Sequence, residues 1–154
     1  FAGAGLFSIV MAKHAKPKAV YSIDINPDAY RYMVENVKLN RVEHTVVPIL
    51  GDAAKVIEEK LAGTSDRVLM PYPDIALDYL IYALKALRMR GWIHIYLHVE
   101  ADKGEDPVER AKAIAGRKLE ELGIRSSEFV YGRVVRPIAP RKYQVVLDTH
   151  ITEL

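Results

Sequence analysis

Apolar positions along the chain switch between two periods, and the switches mark the elements. Leu6 to Ala15 is apolar on most faces and reads as a helix, ended by Lys16-Pro17-Lys18. Ala19-Val20-Tyr21-Ser22-Ile23 is a short β-prone run that closes at Asp24. Pro27 suits the first turn of a helix, with Asn26 as its N-cap. Tyr30, Val34, Val37 and Leu39 carry that helix's buried stripe to about Asn40. Thr45 to Leu50 reads as a strand in which Pro48 argues for an edge or irregular position. Gly51-Asp52-Ala53 then opens a helix from about Ala54 to Ala62.

The second half repeats the alternation. Asp66 to Met70 is a strand ending in Pro71-Tyr72-Pro73, and Asp74 is placed to cap the next helix. Its apolar face carries Ala76, Leu77, Leu80, Ala83, Leu84 and Leu87. Gly91 punctuates, and Trp92 to Val99 is filled as a strand buried on both faces should be. Val108, Ala111, Ile114, Ala115, Leu119 and Leu122 recur at helical spacing from Pro107 to Leu122. Two strands close the chain, Glu128 to Val135 and Tyr143 to Ile151, joined by a loop over 136–142 that holds two prolines.

Alternating strands and helices call for an α/β domain with a mostly parallel sheet and helices on both faces. The last connection is too short for a parallel crossover, so the final pair is an antiparallel hairpin. No repeat or linker divides the chain, and 1–154 is expected to form a single domain.

Composition narrows the classes. The 154 residues are 50% apolar and 27% charged, an ordinary globular profile. The absence of cysteine removes disulfides, cysteine-based zinc sites and thiol nucleophiles. No apolar run approaches the ~18 residues of a membrane-spanning helix. A net charge of +2 does not by itself announce a nucleic-acid partner. Few amides (Asn26, Asn36, Asn40, Gln144) beside dense charge point to a thermophilic, cytoplasmic protein. The chain opens on a glycine-rich stretch that a strand ordinarily precedes, so it is expected to be an N-terminally truncated piece of a longer protein.

Candidate chemistry gathers where strands end, because open α/β sheets bind ligands beyond their carboxyl ends. Gly3 and Gly5 leave room for close approach to the backbone, and the helix after them offers N–H groups. Asp24 at the next tip could bond both hydroxyls of a ribose, and Asp52 at the third could reach an adenine amine. Each has a local alternative, since a glycine pair makes a tight turn and either aspartate can cap a helix. Taken together they describe a nucleoside lying across three tips. Ser8 stands where a dinucleotide fold wants a third glycine, which disfavours a nicotinamide cofactor.

Pro71-Tyr72-Pro73 could turn backbone carbonyls toward a planar amine beside an aromatic face, or simply end a strand. His94 and His98 share a strand face without a third ligand at suitable spacing, so no metal is expected. Arg133, Arg136, Arg141 and Lys142 cluster around the last loop, where they could track nucleic-acid phosphates.

Six segments carry a resemblance. They are Phe1-Ala2-Gly3-Ala4-Gly5-Leu6-Phe7, Asp24-Ile25-Asn26-Pro27-Asp28-Ala29, Asn40-Arg41-Val42-Glu43, Gly51-Asp52-Ala53, Asp66 to Pro73 and Val135 to Tyr143. In order from Phe1 to about Asp148 they resemble the catalytic domain of class I tRNA (guanine-37-N1) methyltransferases of archaea and eukaryotes. Wybutosine-pathway aminocarboxypropyl transferases share several of these motifs. The resemblance implies a Rossmann-like, S-adenosylmethionine-dependent methyltransferase fold and methylation of guanine N1 at tRNA position 37.

It also implies that Phe1, Ala2, Gly3, Gly5, Asp24, Ile25, Asn26, Asp52 and Ala53 hold S-adenosyl-L-methionine. Pro71, Tyr72 and Pro73 then form the target-base pocket, and Arg133, Arg136, Arg141 and Lys142 contact tRNA. The family's general base belongs to the region before the glycine loop, so it is expected outside these residues. The chain departs from the family at Pro71, where the usual Asn-Leu-Pro motif has asparagine. Alternatives are aminocarboxypropyl transfer, a nicotinamide-dependent oxidoreductase, or a non-catalytic module that binds cofactor or RNA. A monomer, with no metal and no membrane, is expected.

Overall fold

Local chemistry builds the first elements much as their residues predict. In the computed structural model, which describes residues 1–154, α1 (Leu6–His14) leads to β1 (Val20–Asp24). Asn26 then accepts a hydrogen bond from Asp28 N–H at 2.9 Å and Pro27 opens α2 (Pro27–Leu39). β2 (Val46–Leu50) pairs in parallel with β1 alone, and Pro48 lies opposite Ser22 on this edge strand, where a missing N–H is tolerated. Asp52 caps α3 (Ala53–Val56) by accepting from Lys55 N–H at 3.1 Å. These elements form one compact unit, Phe1–Val56. Its core is Ile9 of α1, Met33 and Val37 of α2, Val42, and Val20 and Val46 of the strands. The expected helix over Ala54–Ala62 is thus a short α3 followed by a π-helical turn, Ile57–Leu61.

The second unit, Ile57–Leu154, holds β3 (Ser65–Met70), α4 (Ala76–Ala86), β4 (Leu87–Glu100), α5 (Pro107–Glu121), β5 (Ser126–Ala139) and β6 (Lys142–Glu153). Its sheet runs β3-β4-β6-β5, with β3 and β4 parallel and both pairings of β6 antiparallel. Ile93, Ile95, Leu97 and Val99 pack with Leu80 and Leu84 of α4 and with Ala111, Ala115 and Leu119 of α5. Asp106 fixes the start of α5 by accepting from Val108 N–H at 2.8 Å. No helix is long and apolar enough to cross a membrane.

Three expectations change here. Leu87 begins β4 rather than ending the preceding helix, because it pairs with Ser65 of β3. β4 is not buried on both faces: Ile93, Ile95, Leu97 and Val99 are buried, while Trp92, His94, Tyr96 and His98 alternate with them half-buried. The loop expected over 136–142 is almost all strand, and only Pro140 and Arg141 lie outside β5 and β6. Pro137 is accommodated because β5 is an edge strand, next to a register shift between Pro137 and Ala139. Arg141 closes the turn at φ 60°.

One buried group lacks a partner. The Thr149 hydroxyl on β6 is buried without a hydrogen bond. Burying an unpaired hydroxyl costs about 1–3 kcal/mol in proteins. Thr149→Val keeps the shape, so it should stabilise the chain by about 1 kcal/mol, read as a raised midpoint in chemical denaturation at unchanged slope.

Candidate functional site

The glycine loop is built by two residues that do different work. Gly3 and Gly5 both lie in the left-handed region, at φ 56° and 85°. Gly5 caps α1, and its N–H donates to Ala2 O at 3.0 Å, closing the turn. A Cβ on Gly5 would sit 2.9 Å from Met33 Cγ, so this glycine lets α1 approach α2. A Cβ on Gly3 would meet nothing within 4 Å. Gly3 therefore faces open space, as a backbone that a ligand approaches must.

Asp24 joins this loop to the next strand tip. Its Oδ2 accepts from Gly3 N–H at 2.7 Å and its Oδ1 from Asn26 N–H at 2.9 Å. Ala2 N–H donates to Ile23 O at 3.0 Å, which runs Phe1 and Ala2 alongside the end of β1. Gly51 N–H donates to Asp24 O at 2.9 Å, so the third tip is tied to the second. The expected residues Phe1, Ala2, Gly3, Gly5, Asp24 and Asn26 are thereby brought into one bonded cluster, with Asp52 and Ala53 directly after Gly51. Between Asp24 and Asn26, Ile25 is 63% exposed, an apolar side chain presented beside a buried carboxylate.

The expected local role holds for Asp52 but not for Asp24, since Asn26 is the cap of α2. Asp52 does cap a helix, and Asp24 does accept backbone N–H groups. A carboxylate has about four acceptor positions, so Asp24 can hold the loop and still accept two hydroxyls. Open space at Gly3, the Asp24 carboxylate bonded to it and the exposed Ile25 thus lie together at the end of β1. Ser8 replaces the third glycine in a constructive way: it is buried and takes a 2.5 Å hydrogen bond from Ser22 Oγ, so α1 and β1 meet through a hydroxyl pair.

In the second unit, Pro71-Tyr72-Pro73 forms the turn after β3, and the Tyr72 ring is half-exposed. Asp74 does not cap α4 as expected. The cap position is Ile75, without a side-chain bond, and the Asp74 carboxylate instead accepts from His98 Nδ1 at 2.9 Å. His94 is held separately: Nδ1 donates to Asp148 at 2.6 Å and Nε2 accepts from Arg67 at 2.5 Å. The two histidines therefore serve different carboxylates on different elements.

The basic residues of the hairpin have distinct surroundings. Arg136 Nε donates to Gln144 Oε1 at 3.0 Å. Arg141 pairs with Asp102 at 3.0 Å, and Lys142 lies opposite Glu100 in the β4–β6 register. Arg133 stands by Tyr96, whose phenol is pushed above its ordinary pKa by burial, with Arg133 opposing that shift. Sequence reasoning missed the Asp74–His98 and Arg136–Gln144 pairs. The only available signal was that His98 and Gln144 sit in strands, since partners so far apart in the chain leave no local pattern.

The family model for the TRM5/TYW2 methyltransferase domain matches residues 1–122. Over 148 residues the chain is 46% identical to tRNA 4-demethylwyosine(37)-methyltransferase Taw21 of Saccharolobus solfataricus, covering 96% of this chain and 51% of that protein. Over 156 residues it is 40% identical to tRNA (guanine(37)-N(1))-methyltransferase Trm5b of Pyrococcus abyssi, covering 99% of this chain and 42% of that one. Methanocaldococcus jannaschii Trm5, solved in complex with adenosine, superimposes with a TM-score of 0.83 at 32% identity, over 100% of this chain and 43% of that chain. The chain thus spans about half the length of the curated relatives it matches.

Proposed function

Since the chain belongs to the TRM5/TYW2 methyltransferase domain family, we propose that it binds S-adenosyl-L-methionine and serves methyl transfer to guanine N1 at tRNA position 37. The observation that carries the cofactor reading is the bonded cluster of Gly3, Asp24 and Asn26, with open space where Gly3 lacks a side chain. Asp24 would hold the ribose hydroxyls, Ile25 would pack on the adenine, and Asp52 would receive its amine. Phe1, Ala2, Gly5, Asn26 and Ala53 shape the loops that carry those groups. When bound, the cofactor supplies an electrophilic methyl on a sulfonium, which needs no metal.

The rest of the reading concerns the acceptor. Guanine N1 carries a proton and is a poor nucleophile until a base removes it. Pro71, Tyr72 and Pro73 would orient the guanine itself, through backbone carbonyls and the half-exposed Tyr72 ring. Arg133, Arg136, Arg141 and Lys142 would meet tRNA phosphates, whose contacts strengthen binding without reading sequence. Arg136 lies opposite Gln144, and Gln144 opposite His98, so one cross-strand row leads from the basic hairpin to the partner of Asp74.

A second reading has its own observation. Pro71 has no side-chain amide to grip guanine, and the 46% identical relative is named for a modified base at the same position. In that reading the acceptor is 4-demethylwyosine.

The test is transfer by the full-length protein to two substrates: a tRNA transcript with guanine at position 37, and tRNA carrying 4-demethylwyosine there. Mass analysis of the nucleosides should show one added methyl on guanine. Methyl only on the second substrate would favour the alternative acceptor. A much larger added fragment would mean aminocarboxypropyl transfer, and tight binding of NAD in place of S-adenosylmethionine would overturn the cofactor.

A further inference from the structure

Asp74 is the residue whose local chemistry and observed contact disagree. It directly follows Pro73 and stands just before Ile75, the cap position of α4. Here the helix starts at Ile75 without any side-chain cap, and the carboxylate reaches sideways to β4. The geometry of the sheet explains how. β3 stops at Met70, paired with Ile95, while β4 continues to Glu100. His98 therefore lies on the overrunning end of β4, beside the turn that leaves β3.

Pro71 and Pro73 have no N–H to donate, so two of the turn's three residues cannot be fixed by backbone donation. The bond from His98 Nδ1 to Asp74 Oδ1, 2.9 Å long, anchors the turn's downstream end to the neighbouring strand. Its His98 end is three-quarters buried and its Asp74 end is largely exposed. Such a pair adds little to global stability. Its effect is on where the turn points.

We propose that His98 is a positioning residue for the Pro71-Tyr72-Pro73 turn, acting through Asp74 to set the Tyr72 face at which the acceptor base is received. This rests on the reading of that turn as the target-base pocket. His98 touches neither cofactor nor base, and its contribution is the orientation of residues that would.

The experiment uses the full-length protein in three forms: wild type, His98→Ala and His98→Asn. An asparagine amide nitrogen falls close to the Nδ1 position of histidine and can still donate to Asp74, whereas alanine cannot. Two readouts are taken, hydrogen exchange at the Tyr72, Asp74 and Ile75 amides and methyl transfer at saturating cofactor. In His98→Ala the exchange should rise and kcat/KM for the tRNA should fall about tenfold, with cofactor affinity and melting temperature unchanged. His98→Asn should restore both to within about twofold of wild type, the residual allowed for an imperfect copy of one hydrogen bond.

Unchanged exchange in His98→Ala overturns the inference whatever the transfer assay gives. Raised exchange with wild-type transfer also overturns it, because the turn's orientation would then not matter to the acceptor. Failure of His98→Asn to restore either readout means that the ring, not the bond to Asp74, is what counts, and sinks it too. Wild-type protein that modifies no tRNA substrate overturns the reading of the turn itself, and the inference falls with it.

Discussion

Replacing Asp24 by alanine is expected to weaken S-adenosylmethionine binding by the full-length protein about a hundredfold. Two losses combine. Hydrogen bonds to a charged group are worth about 1.5–3 kcal/mol each, and both ribose hydroxyls would lose theirs. The Gly3 and Asn26 N–H groups would lose their acceptor as well, since each donates to one oxygen of this carboxylate. Asp24→Asn should fall between, because its amide can accept from one of those donors only by turning NH2 against the other. A cofactor analogue without the ribose hydroxyls separates ligand contact from loop support. It should bind wild type more weakly than the natural cofactor does, and lose in Asp24→Ala only the share that comes from loop support. Titration calorimetry on the four combinations reads the coupling directly. If Asp24→Ala binds the natural cofactor within about threefold of wild type, well under the loss of one such bond, the ribose assignment is wrong.

Asp24 also shows what could be read before any coordinates. The glycine loop, Asp24, Asn26-Pro27 and Gly51-Asp52 are local signals, each a turn or cap at a strand tip, and the structure brings them together through bonds of short reach. The core face of α5 was equally plain, as Ala111, Ala115 and Leu119 follow the period that buries them, whereas in α2 the expected Leu39 is exposed and Met33 is buried in its place. What failed was decided by distant partners. Arg88, Met89 and Arg90 carry no breaker, so the apolar period runs on through Leu87, and only the pairing of Leu87 with Ser65 of β3 marks the helix's end. Pro137 reads as loop because nothing near it says that β5 lies at the sheet's edge. Asp74 reads as a cap because His98, which takes its carboxylate, is far along the chain. A strand filled by Trp92, His94, Tyr96 and His98 looks buried on both sides until Asp148, Arg67 and Asp74 supply their polar partners.

Gly91 was legible only as punctuation, and a side chain there would meet the backbone of the neighbouring strand. The β3–β4 register shifts between Ser65, opposite Leu87, and Arg67, opposite Trp92, which presses Gly91 against the backbone of Asp66. A Cβ there would lie 2.5 Å from Asp66 O and 2.9 Å from Leu87 Cδ2. Leu87 could adjust its rotamer, but a carbonyl in the neighbouring strand cannot. β4 cannot retreat either, since Gly91 also pairs with Ile151 of β6 on its other side. Gly91→Ala should therefore destabilise the chain by about 3 kcal/mol, seen as a lower denaturation midpoint and faster exchange at the start of β4. Gly116→Ala is the matched control. It lies within α5, where a Cβ would meet Phe129 at an ordinary 3.6 Å. Relief of glycine's flexibility in a helix should stabilise the chain by about 0.5–1 kcal/mol. The same substitution thus has opposite signs at two glycines, because one methyl enters free space beside a ring and the other enters a carbonyl. Equal effects at both positions would show that β3 and β4 part easily at the bulge, and that Gly91 is not where the sheet is closed.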